Sequence, residues 1–131
     1  MTVALAALDG AWVPVDADIS GRELSVATLR VARLVIAAGR YRILARDNQT
    51  MDGGELRLSG TQADGEVDLV GTEGPSTGRI IPAIFELNGD QLRLCYDLER
   101  AARPASMTPE AEQLLLRITY ERVVQVIEAS A

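Results

Sequence analysis

The sequence predicts an all-β protein: a single eight-stranded antiparallel barrel with up-and-down strand order. Short runs in which apolar and polar residues alternate recur along almost the whole chain, and turns that contain glycine separate them. Asn88-Gly89 lies between two such runs and is a strong hairpin signal, because the turn needs positive φ angles that Asn and Gly tolerate. The eight runs have the spacing of an antiparallel barrel or sandwich.

Each predicted strand carries apolar residues at every second position, so that one of its faces is buried and the other is polar. In chain order the predicted strands cover 10–16, 31–37, 40–46, 55–59, 66–70, a run ending at Leu87, 91–97 and 114–122. Turns are predicted at Ala38-Gly39, Gly53-Gly54, Ser59-Gly60 and Asp64-Gly65. Pro14 in the first strand indicates a position near a sheet edge or a strand end, because proline cannot donate a ladder hydrogen bond.

Ser20 to Thr28 breaks the alternating pattern between the first two strands. Ser20 is a suitable N-cap for one or two helical turns that include Glu23, Leu24 and Ala27. We expect this short helical segment to act as a lid or plug of the barrel.

The C-terminal third admits two interpretations. Thr108-Pro109-Glu110 is typical of a helix start, with a capping hydroxyl, a proline at the first helical position and acid in the first turn, so 109–128 could be a helix. Against a helix, the residues from Leu114 to Arg122 alternate with a period of two and are enriched in β-branched side chains. We expect a short helical turn near Pro109 and then the final strand.

Trp12 and Arg122 are the candidates for closing the barrel. Gly10-Ala11-Trp12 lies at the start of the first strand, and Arg122 ends the last strand with the same inward parity as Tyr120. In lipocalins, which this pattern resembles, the indole of a Gly-x-Trp closes the barrel floor and an arginine from the last strand lies across it. A guanidinium over an indole face is held by a cation–π attraction of about 0.5–2 kcal/mol. The alternative is an ordinary core tryptophan and a surface arginine.

Three sequence blocks carry a resemblance to a known family: 8–12, 71–75 together with Gly78, and 85–96. Arg103-Pro104 also matches the basic-Pro step that usually follows the seventh strand in that family. From Leu8 to about Val123 the chain resembles an uncharacterised bacterial domain family, first noted in planctomycetes, whose members are thought to be lipocalin-like. The chain departs from the family after the seventh strand, because 98–113 lacks the usual short polar form. The family has no settled activity, so the resemblance implies a fold more than a function.

Length, charge and cysteine content narrow the setting in which the protein works. At 131 residues the chain is long enough for one domain, and we expect a barrel over 8–124 with a C-terminal tail over 125–131. The single Cys95 excludes an intrachain disulfide, and Met1 to Leu8 lacks the basic start and apolar length of a signal peptide, so a cytoplasmic location is expected. The net charge of −6 argues against nucleic-acid binding, and no apolar run reaches the roughly 20 residues of a membrane span.

The sequence lacks the residues that many hydrolases and metalloenzymes need. Without histidine the chain cannot form a Ser-His-Asp or Cys-His relay or a His-based metal site, and we expect no metal and no cofactor. Cys95 is a structural thiol or, as the alternative, a nucleophile. The carboxylate pairs Asp16/Asp18 and Glu110/Glu112 are solvated charges or, as the alternative, acid–base pairs.

The predicted inward-facing residues define the barrel interior. They are Leu34, Ile36, Tyr41, Ile43, Leu56, Leu58, Val67, Leu69, Phe85, Leu87, Leu92, Leu94, Tyr96, Leu114, Leu116, Ile118 and Tyr120. An eight-stranded barrel is just wide enough to be filled by side chains or to hold one small ligand. For such a ligand, Tyr41, Tyr96 and Tyr120 are the candidate catalytic residues. The candidate binding surface is Trp12 together with the apolar residues of this set other than Val67, Leu87 and Leu114. The alternative is a solid core whose tyrosines reach the rim.

Two functions are compatible with an apolar interior of this kind. In the first, the barrel is a cofactor-independent cyclase or isomerase that folds an apolar, polyketide-like substrate and polarises a carbonyl through a tyrosine. Small lipocalin-like cyclases of bacterial polyketide pathways are similar in size and also cofactor-free, and proximity and orientation alone contribute about 7–11 kcal/mol to such a reaction. In the second, the protein binds a small hydrophobic metabolite without turnover. A third interpretation has a filled barrel that forms a homodimer through an uncovered edge strand.

Overall fold

The computed structural model describes residues 5–29, 31–47, 49–58, 65–98, 103–104 and 114–123. Nine strands form one sheet: β1 (Gly10–Ile19), β2 (Arg22–Glu23), β3 (Arg33–Ala37), β4 (Arg40–Leu44), β5 (Thr50–Leu58), β6 (Glu66–Glu73), β7 (Ile80–Asn88), β8 (Gln91–Asp97) and β9 (Leu115–Arg122). All pairings are antiparallel, and β1 pairs with β9, which closes the sheet. In the described part of the chain the two-residue β2 pairs with β1 alone, so the barrel wall has eight strands in up-and-down order, as predicted.

Two predicted hairpins have the turn geometry that their residues favour. Gly89 has a φ angle of 60° in the turn between Asn88 and Gln91, which are paired residues of β7 and β8. Ala38 and Gly39 have φ angles of 51° and 78° between β3 and β4. Because a turn fixes the register of the strands it joins, these turns help to direct the apolar residues of all four strands to the barrel interior.

β1 completes the barrel and contains an irregularity at its proline. It pairs with β3 over 10–12, with β2 over 18–19 and with β9 over most of its length. A β-bulge between Pro14 and Asp16 shifts the register against β9. Pro14 lies at this bulge and beyond the segment 10–12 that pairs with β3, so among the described strands β1 is paired on one side only at this position, in keeping with the predicted position near an edge. At a bulge, as at an edge, a residue need not donate a ladder hydrogen bond, so proline is tolerated there.

One predicted turn is wrong, because its two glycines lie inside the strand β5. Gly53 and Gly54 lie inside β5, so this strand begins at Thr50 and not at Glu55. A Cβ atom on Gly54 would lie 1.9 Å from the carbonyl oxygen of Val70, which shows how closely β5 approaches β6. The register of β5 against β6 also shifts between the two glycines. The glycine pair thus serves a close strand contact and a bulge, and not a chain reversal.

The short helical segment predicted between the first two wall strands is present, but it begins later than expected. It is a 3-10 turn over Val26–Leu29 that packs against the core. Ser20 is not its cap, since a φ angle of 50° places it in the turn after β1, where its Oγ accepts a hydrogen bond from Leu115 N at 3.1 Å. Glu23 belongs to β2, where pairing with β1 keeps the chain extended. Among the described residues no helix is long and apolar enough to cross a membrane.

Of the two interpretations of the C-terminal third, the strand is confirmed over Leu115–Arg122, which form β9. It pairs with β8 on one side and with β1 on the other. Leu114, which was predicted to face inward, precedes the strand and is 46% exposed, so this prediction is wrong. The predicted helical turn near Pro109, the tail 125–131 and the predicted turn residues 59–64 lie outside the described residues.

Arg103 fixes part of the connection between β8 and β9 to the outer wall of the barrel. Its guanidinium donates to the carbonyl oxygens of Val67 at 3.1 Å and Ala83 at 2.9 Å. It also forms an ion pair with Asp68 at 2.6 Å. Asp68 lies on the face of β6 opposite Val67, which lines the interior. Arg103 is therefore bonded to both β6 and β7.

Apolar side chains from all eight wall strands meet inside the barrel. The buried cluster comprises Leu8, Trp12, Ala17, Leu34, Ile36, Tyr41, Leu56, Val67, Leu69, Ile81, Ala83, Phe85, Leu92, Leu94, Leu116, Ile118 and Tyr120. Four further residues predicted to face inward are partly buried against it: Ile43, Leu58, Leu87 and Tyr96. Removal of this apolar surface from water is the main term that stabilises the closed barrel.

Candidate functional site

An internal cavity of about 80 Å³ remains inside the barrel. Its apolar wall consists of Leu8, Leu34, Ile36, Ile43, Leu56, Val67, Leu69, Ile81, Phe85, Leu92 and Leu94. The polar residues on the wall are Tyr41, Asp52, Ser76, Tyr96 and Tyr120. The volume exceeds the ~10–15 Å³ that a water molecule needs, but it is well below the roughly 300–1,000 Å³ of pockets that hold drug-sized ligands. Side chains therefore do not fill the barrel completely, and the remaining space suits a small molecule or one end of a longer one.

One end of the barrel is closed by Trp12 and Arg122. The Trp12 side chain is completely buried, and its Nε1 donates to the carbonyl oxygen of Leu8 at 3.0 Å. The Arg122 guanidinium lies over the indole, with Cζ 4.3 Å from the ring centroid. The predicted contact between Trp12 and Arg122 is therefore present, at a distance where cation–π attraction is effective.

Arg122 also connects the chain segments that meet at this closed end. Its Nε forms an ion pair with Asp90 of the β7–β8 turn at 2.9 Å, and its Nη1 donates to the carbonyl oxygen of Asp9. Gly10 has a φ angle of 146°, and a Cβ atom there would lie 3.0 Å from Arg122 Nη1. The glycine of the Gly-x-Trp motif therefore makes room for the arginine that covers the tryptophan. These contacts give the motif a structural role.

The three tyrosines that the sequence singles out all reach the cavity. Tyr41 and Tyr120 are each 2% exposed, and Tyr96 is partly buried. Burial, and to a smaller extent the neighbouring Tyr96, raises the pKa of Tyr120. The Tyr120 phenol therefore keeps its proton at neutral pH and can donate it in a hydrogen bond to a group inside the barrel.

Asp52 and Ser76 form a polar pair on the cavity wall that the sequence analysis missed. The Ser76 hydroxyl donates to Asp52 Oδ2 at 2.7 Å, and the Ser76 N–H donates to Asp52 Oδ1 at 3.3 Å. The N–H of Gly53 donates to the same Oδ1 at 3.2 Å. Asp52 belongs to β5 and Ser76 to the loop after β6, so the register of these strands brings the two residues together. No local pattern marks Asp52, because it precedes a glycine pair that is typical of a turn.

The loop that carries Ser76 folds against the barrel mouth because glycines leave room for it. Gly74–Ser76 form a 3-10 turn, and Gly74 has a φ angle of 79°. A Cβ atom on Gly74 would lie 2.5 Å from the carbonyl oxygen of Met51. A Cβ atom on Gly71 would lie 2.0 Å from the carbonyl oxygen of Ser76. The glycines of this loop thus permit close packing, and they place Ser76, which is 1% exposed, on the cavity wall.

Most of the predicted binding residues line the cavity, and four do not. Trp12 lies at the closed end, Leu58 is only partly buried against the core, and Leu116 and Ile118 are buried without reaching the cavity. The last two are paired with inward-facing residues of β1, in a part of the barrel that side chains occupy. Conversely, four cavity residues were not among the predicted inward positions: Leu8, Asp52, Ser76 and Ile81.

Cys95 does not contribute to the cavity. It is completely buried on the face of β8 opposite Leu94 and Tyr96, which line the cavity. Burial raises the pKa of its thiol to about 11. A thiol with this pKa is protonated at neutral pH, and a protonated thiol is a poor nucleophile. Of the two interpretations of Cys95, the geometry supports the structural one.

The described carboxylate pair, Asp16/Asp18, also has no place in the cavity. Asp18 forms an ion pair with Arg117 at 2.7 Å and accepts a hydrogen bond from Gly21 N at 3.0 Å, whereas Asp16 is exposed. The other pair, Glu110/Glu112, lies outside the described residues. Within the described ranges, no group of three or more His, Cys, Asp or Glu side chains is arranged to hold a metal ion.

No protein-family model matches the chain, and no curated protein matches its sequence. The closed eight-stranded antiparallel barrel is consistent with a lipocalin-like fold. The chemistry of the cavity is therefore the basis for a functional conclusion. It combines apolar walls, a buried phenol that can donate a hydrogen bond, and a carboxylate that accepts hydrogen bonds.

Proposed function

We propose that this protein binds a small, mostly apolar organic molecule inside its barrel, and that it belongs to the lipocalin-like bacterial family that its sequence resembles. The observation that carries the proposal is the incompletely filled interior, which has an apolar wall and a few polar groups at defined positions. Sites for small molecules have this composition, because apolar contacts supply affinity and a few polar groups fix the orientation.

The size of the cavity limits the ligand. A volume of about 80 Å³ suits one small ring or a short chain. A longer polyketide-like molecule would enter with one end and leave the remainder outside the described cavity. Apolar contact contributes roughly 25 cal/mol per Å² of surface removed from water, so a ligand of this size gains only modest affinity. We therefore expect dissociation constants between about 1 μM and 1 mM for small probes.

Binding can be tested by NMR titration with xenon and with cyclohexanol, two small probes that suit an apolar cavity. We expect dose-dependent shifts of the methyl resonances of the cavity leucines and isoleucines. The variant Leu92→Phe places a larger side chain on the cavity wall and should abolish the shifts. The matched control Val13→Phe changes a residue that is 37% exposed on the outer wall and should leave them unchanged. Wild-type resonances that do not respond to either probe would rule out the proposal.

A catalytic role is the second candidate, and the state of Tyr120 favours it. A buried phenol that keeps its proton can stabilise negative charge as it develops on a carbonyl oxygen. Together with a shaped apolar interior, this group is sufficient for a cofactor-independent cyclisation or isomerisation. Catalysis differs from simple binding in one respect that can be measured, namely turnover.

Turnover can be measured by incubating the protein with linear polyene ketones and following the products by mass spectrometry and chromatography. A cyclase or isomerase would form an isomer of equal mass faster than buffer does, whereas a binding protein would not. We expect Tyr120→Phe to slow that reaction by about 10²-fold, as for the loss of one oxyanion donor. If Tyr41→Phe, Tyr96→Phe and Tyr120→Phe each left the rate unchanged, the tyrosines would have no catalytic role.

A further inference from the structure

We infer that the cavity selects its ligand by the direction of its hydrogen bonds. The Asp52–Ser76 side takes a donor group, either a hydroxyl or an amine, and the Tyr120 side takes an acceptor, either a carbonyl or an ether oxygen. This inference rests on the proposed binding function and specifies its ligand class: small, neutral or cationic molecules with a donor at one end and an acceptor at the other. It also predicts that carboxylic acids are rejected.

The donor preference follows from how the Asp52–Ser76 pair is bonded. Three groups donate to the Asp52 carboxylate: the hydroxyl and the N–H of Ser76, and the N–H of Gly53. A carboxylate has about four lone-pair positions, so Asp52 retains accepting capacity on the cavity side. The Ser76 hydroxyl uses its single proton on Asp52, which leaves its oxygen only lone pairs to offer. Both side chains therefore present acceptors to the cavity that they line.

The acceptor preference comes from the opposite side of the wall. In the barrel order β1-β3-β4-β5-β6-β7-β8-β9, the strand of Tyr120 lies four positions from the strand of Asp52, which is the largest separation that eight strands allow. Tyr120 is 2% exposed, and its hydroxyl is the donor described above. Tyr96 lies on the adjacent strand β8 and lines the same cavity. A ligand between Asp52 and Tyr120 thus meets acceptors at one end and a donor at the other, while Tyr41 of β4 also lines the cavity.

The arrangement also explains why an anionic ligand should be rejected. A ligand carboxylate beside Asp52 would place two negative charges in a largely apolar cavity, where charge repulsion is poorly screened. A ligand oxygen without a proton would also face lone pairs of Ser76 and Asp52. Rejection of the wrong ligand by unpaired acceptors is a common source of specificity, because buried polar groups without partners are costly.

The inference can be tested with matched six-membered rings: 4-hydroxycyclohexanone, cyclohexanol, cyclohexanone and cyclohexanecarboxylate. NMR titration of the wild-type protein should give the tightest binding for 4-hydroxycyclohexanone. We expect cyclohexanone, which lacks the donor, to bind about tenfold more weakly, as for the loss of one hydrogen bond to a charged group. Cyclohexanecarboxylate should show no specific shifts in the same concentration range.

Two variants test which side of the cavity produces the donor preference and which produces the acceptor preference. Asp52→Asn adds a donor to the acceptor side and should abolish the preference for 4-hydroxycyclohexanone over cyclohexanone. Glu55→Gln is the matched control, because it makes the same chemical change on the outer face of the same strand, where Glu55 pairs with Arg40 at 3.6 Å. Tyr120→Phe should weaken cyclohexanone binding severalfold and leave cyclohexanol unchanged. This variant keeps the test decisive if Asp52→Asn fails to fold.

The outcomes distinguish this inference from the function on which it rests. If all four probes bind the wild type with similar affinity, or if Asp52→Asn and Tyr120→Phe leave the ranking unchanged, the directional inference is wrong and the binding function stands. If none of the three neutral probes binds, the binding function itself fails. A preference for the carboxylate over the alcohol would overturn the inference directly.

Discussion

The two ends of this barrel use charged side chains in opposite ways. At the closed end, Arg122 covers Trp12 and directs its donors to Asp90 and to backbone carbonyl oxygens, so the guanidinium is occupied within the protein. At the mouth, Asp52 and Ser76 bond to each other and still present acceptors to the cavity. The first arrangement seals the barrel, and the second can recognise a ligand.

This difference suggests how to separate structural polar groups from functional ones in an uncharacterised barrel. A buried polar group whose hydrogen bonds all end within the protein contributes to the fold. A buried polar group that retains hydrogen-bonding capacity towards an internal space can contribute to function. By this criterion Arg103, which is bonded to Asp68 and to two backbone carbonyls, belongs with Arg122 and not with Asp52.

The largest expected effect comes from breaking the closed end. Trp12→Ala removes a completely buried indole and the surface on which Arg122 lies, so we expect the free energy of unfolding to fall by about 3–5 kcal/mol in urea denaturation. Val13→Ala, at the neighbouring exposed position, is the control and should change it by less than about 0.5 kcal/mol. Similar small losses for both variants would show that the Trp12–Arg122 contact does not hold the barrel closed.

The next effect tests whether close strand contact shapes the mouth. A Cβ atom on Gly54 would lie 1.9 Å from a backbone oxygen of β6, so Gly54→Ala must displace a strand and should cost about 3 kcal/mol or more. Gly78 has open space around it and a φ angle of 81°, so Gly78→Ala should cost only about 1–2 kcal/mol for its backbone conformation. Thermal unfolding of the two variants measures the difference. The reverse order would contradict the described approach of β5 to β6.

The closed end was predictable from the sequence because its signals are local and combine simply. Gly10 and Trp12 are two residues apart in one strand, and Arg122 shares the inward parity of Tyr120 in the last strand. Once an up-and-down barrel is assumed, the first and last strands must be neighbours, so their inward residues must approach each other. The strand periodicity and the Asn88-Gly89 turn were sufficient to predict that barrel.

The mouth was not predictable by the same reasoning, because it depends on non-local register. Asp52 meets Ser76 only because β5 is bulged at Gly53-Gly54 and because the loop after β6 folds towards Gly71. A glycine pair has the same local signature in a tight turn and at a close strand contact. Asp52 shares the parity of the inward-facing Leu56, but that parity is informative only once β5 is known to continue through the two glycines.

The pH dependence of stability separates a wall residue from a cavity residue. The Cys95 thiol has a pKa of 9.0 in its ordinary state and about 11 when buried, so above pH 9 the unfolded chain binds fewer protons than the folded protein. The contribution of Cys95 to stability should therefore be constant below pH 9 and fall by up to about 2–3 kcal/mol as the pH rises through 11. In Cys95→Ala the loss of stability should begin only above pH 10, the ordinary pKa of tyrosine, because burial also raises the pKa of Tyr120. An unchanged pH profile in this variant would mean that Cys95 is not the source.

The smallest expected change in stability among the test variants comes from a substitution at the mouth. Ser76→Ala removes one hydrogen bond to Asp52 and leaves the two backbone donors in place, so we expect a loss of only about 1 kcal/mol in urea denaturation. The variant frees an acceptor position on the Asp52 carboxylate, so cyclohexanol should bind at least as tightly as to the wild type. Trp12→Ala should behave in the opposite way, with a large loss of stability and an unchanged ranking of the probes among the molecules that remain folded. If Ser76→Ala altered stability as strongly as Trp12→Ala, the mouth would be a structural seal like the closed end, and the contrast between the two ends would be wrong.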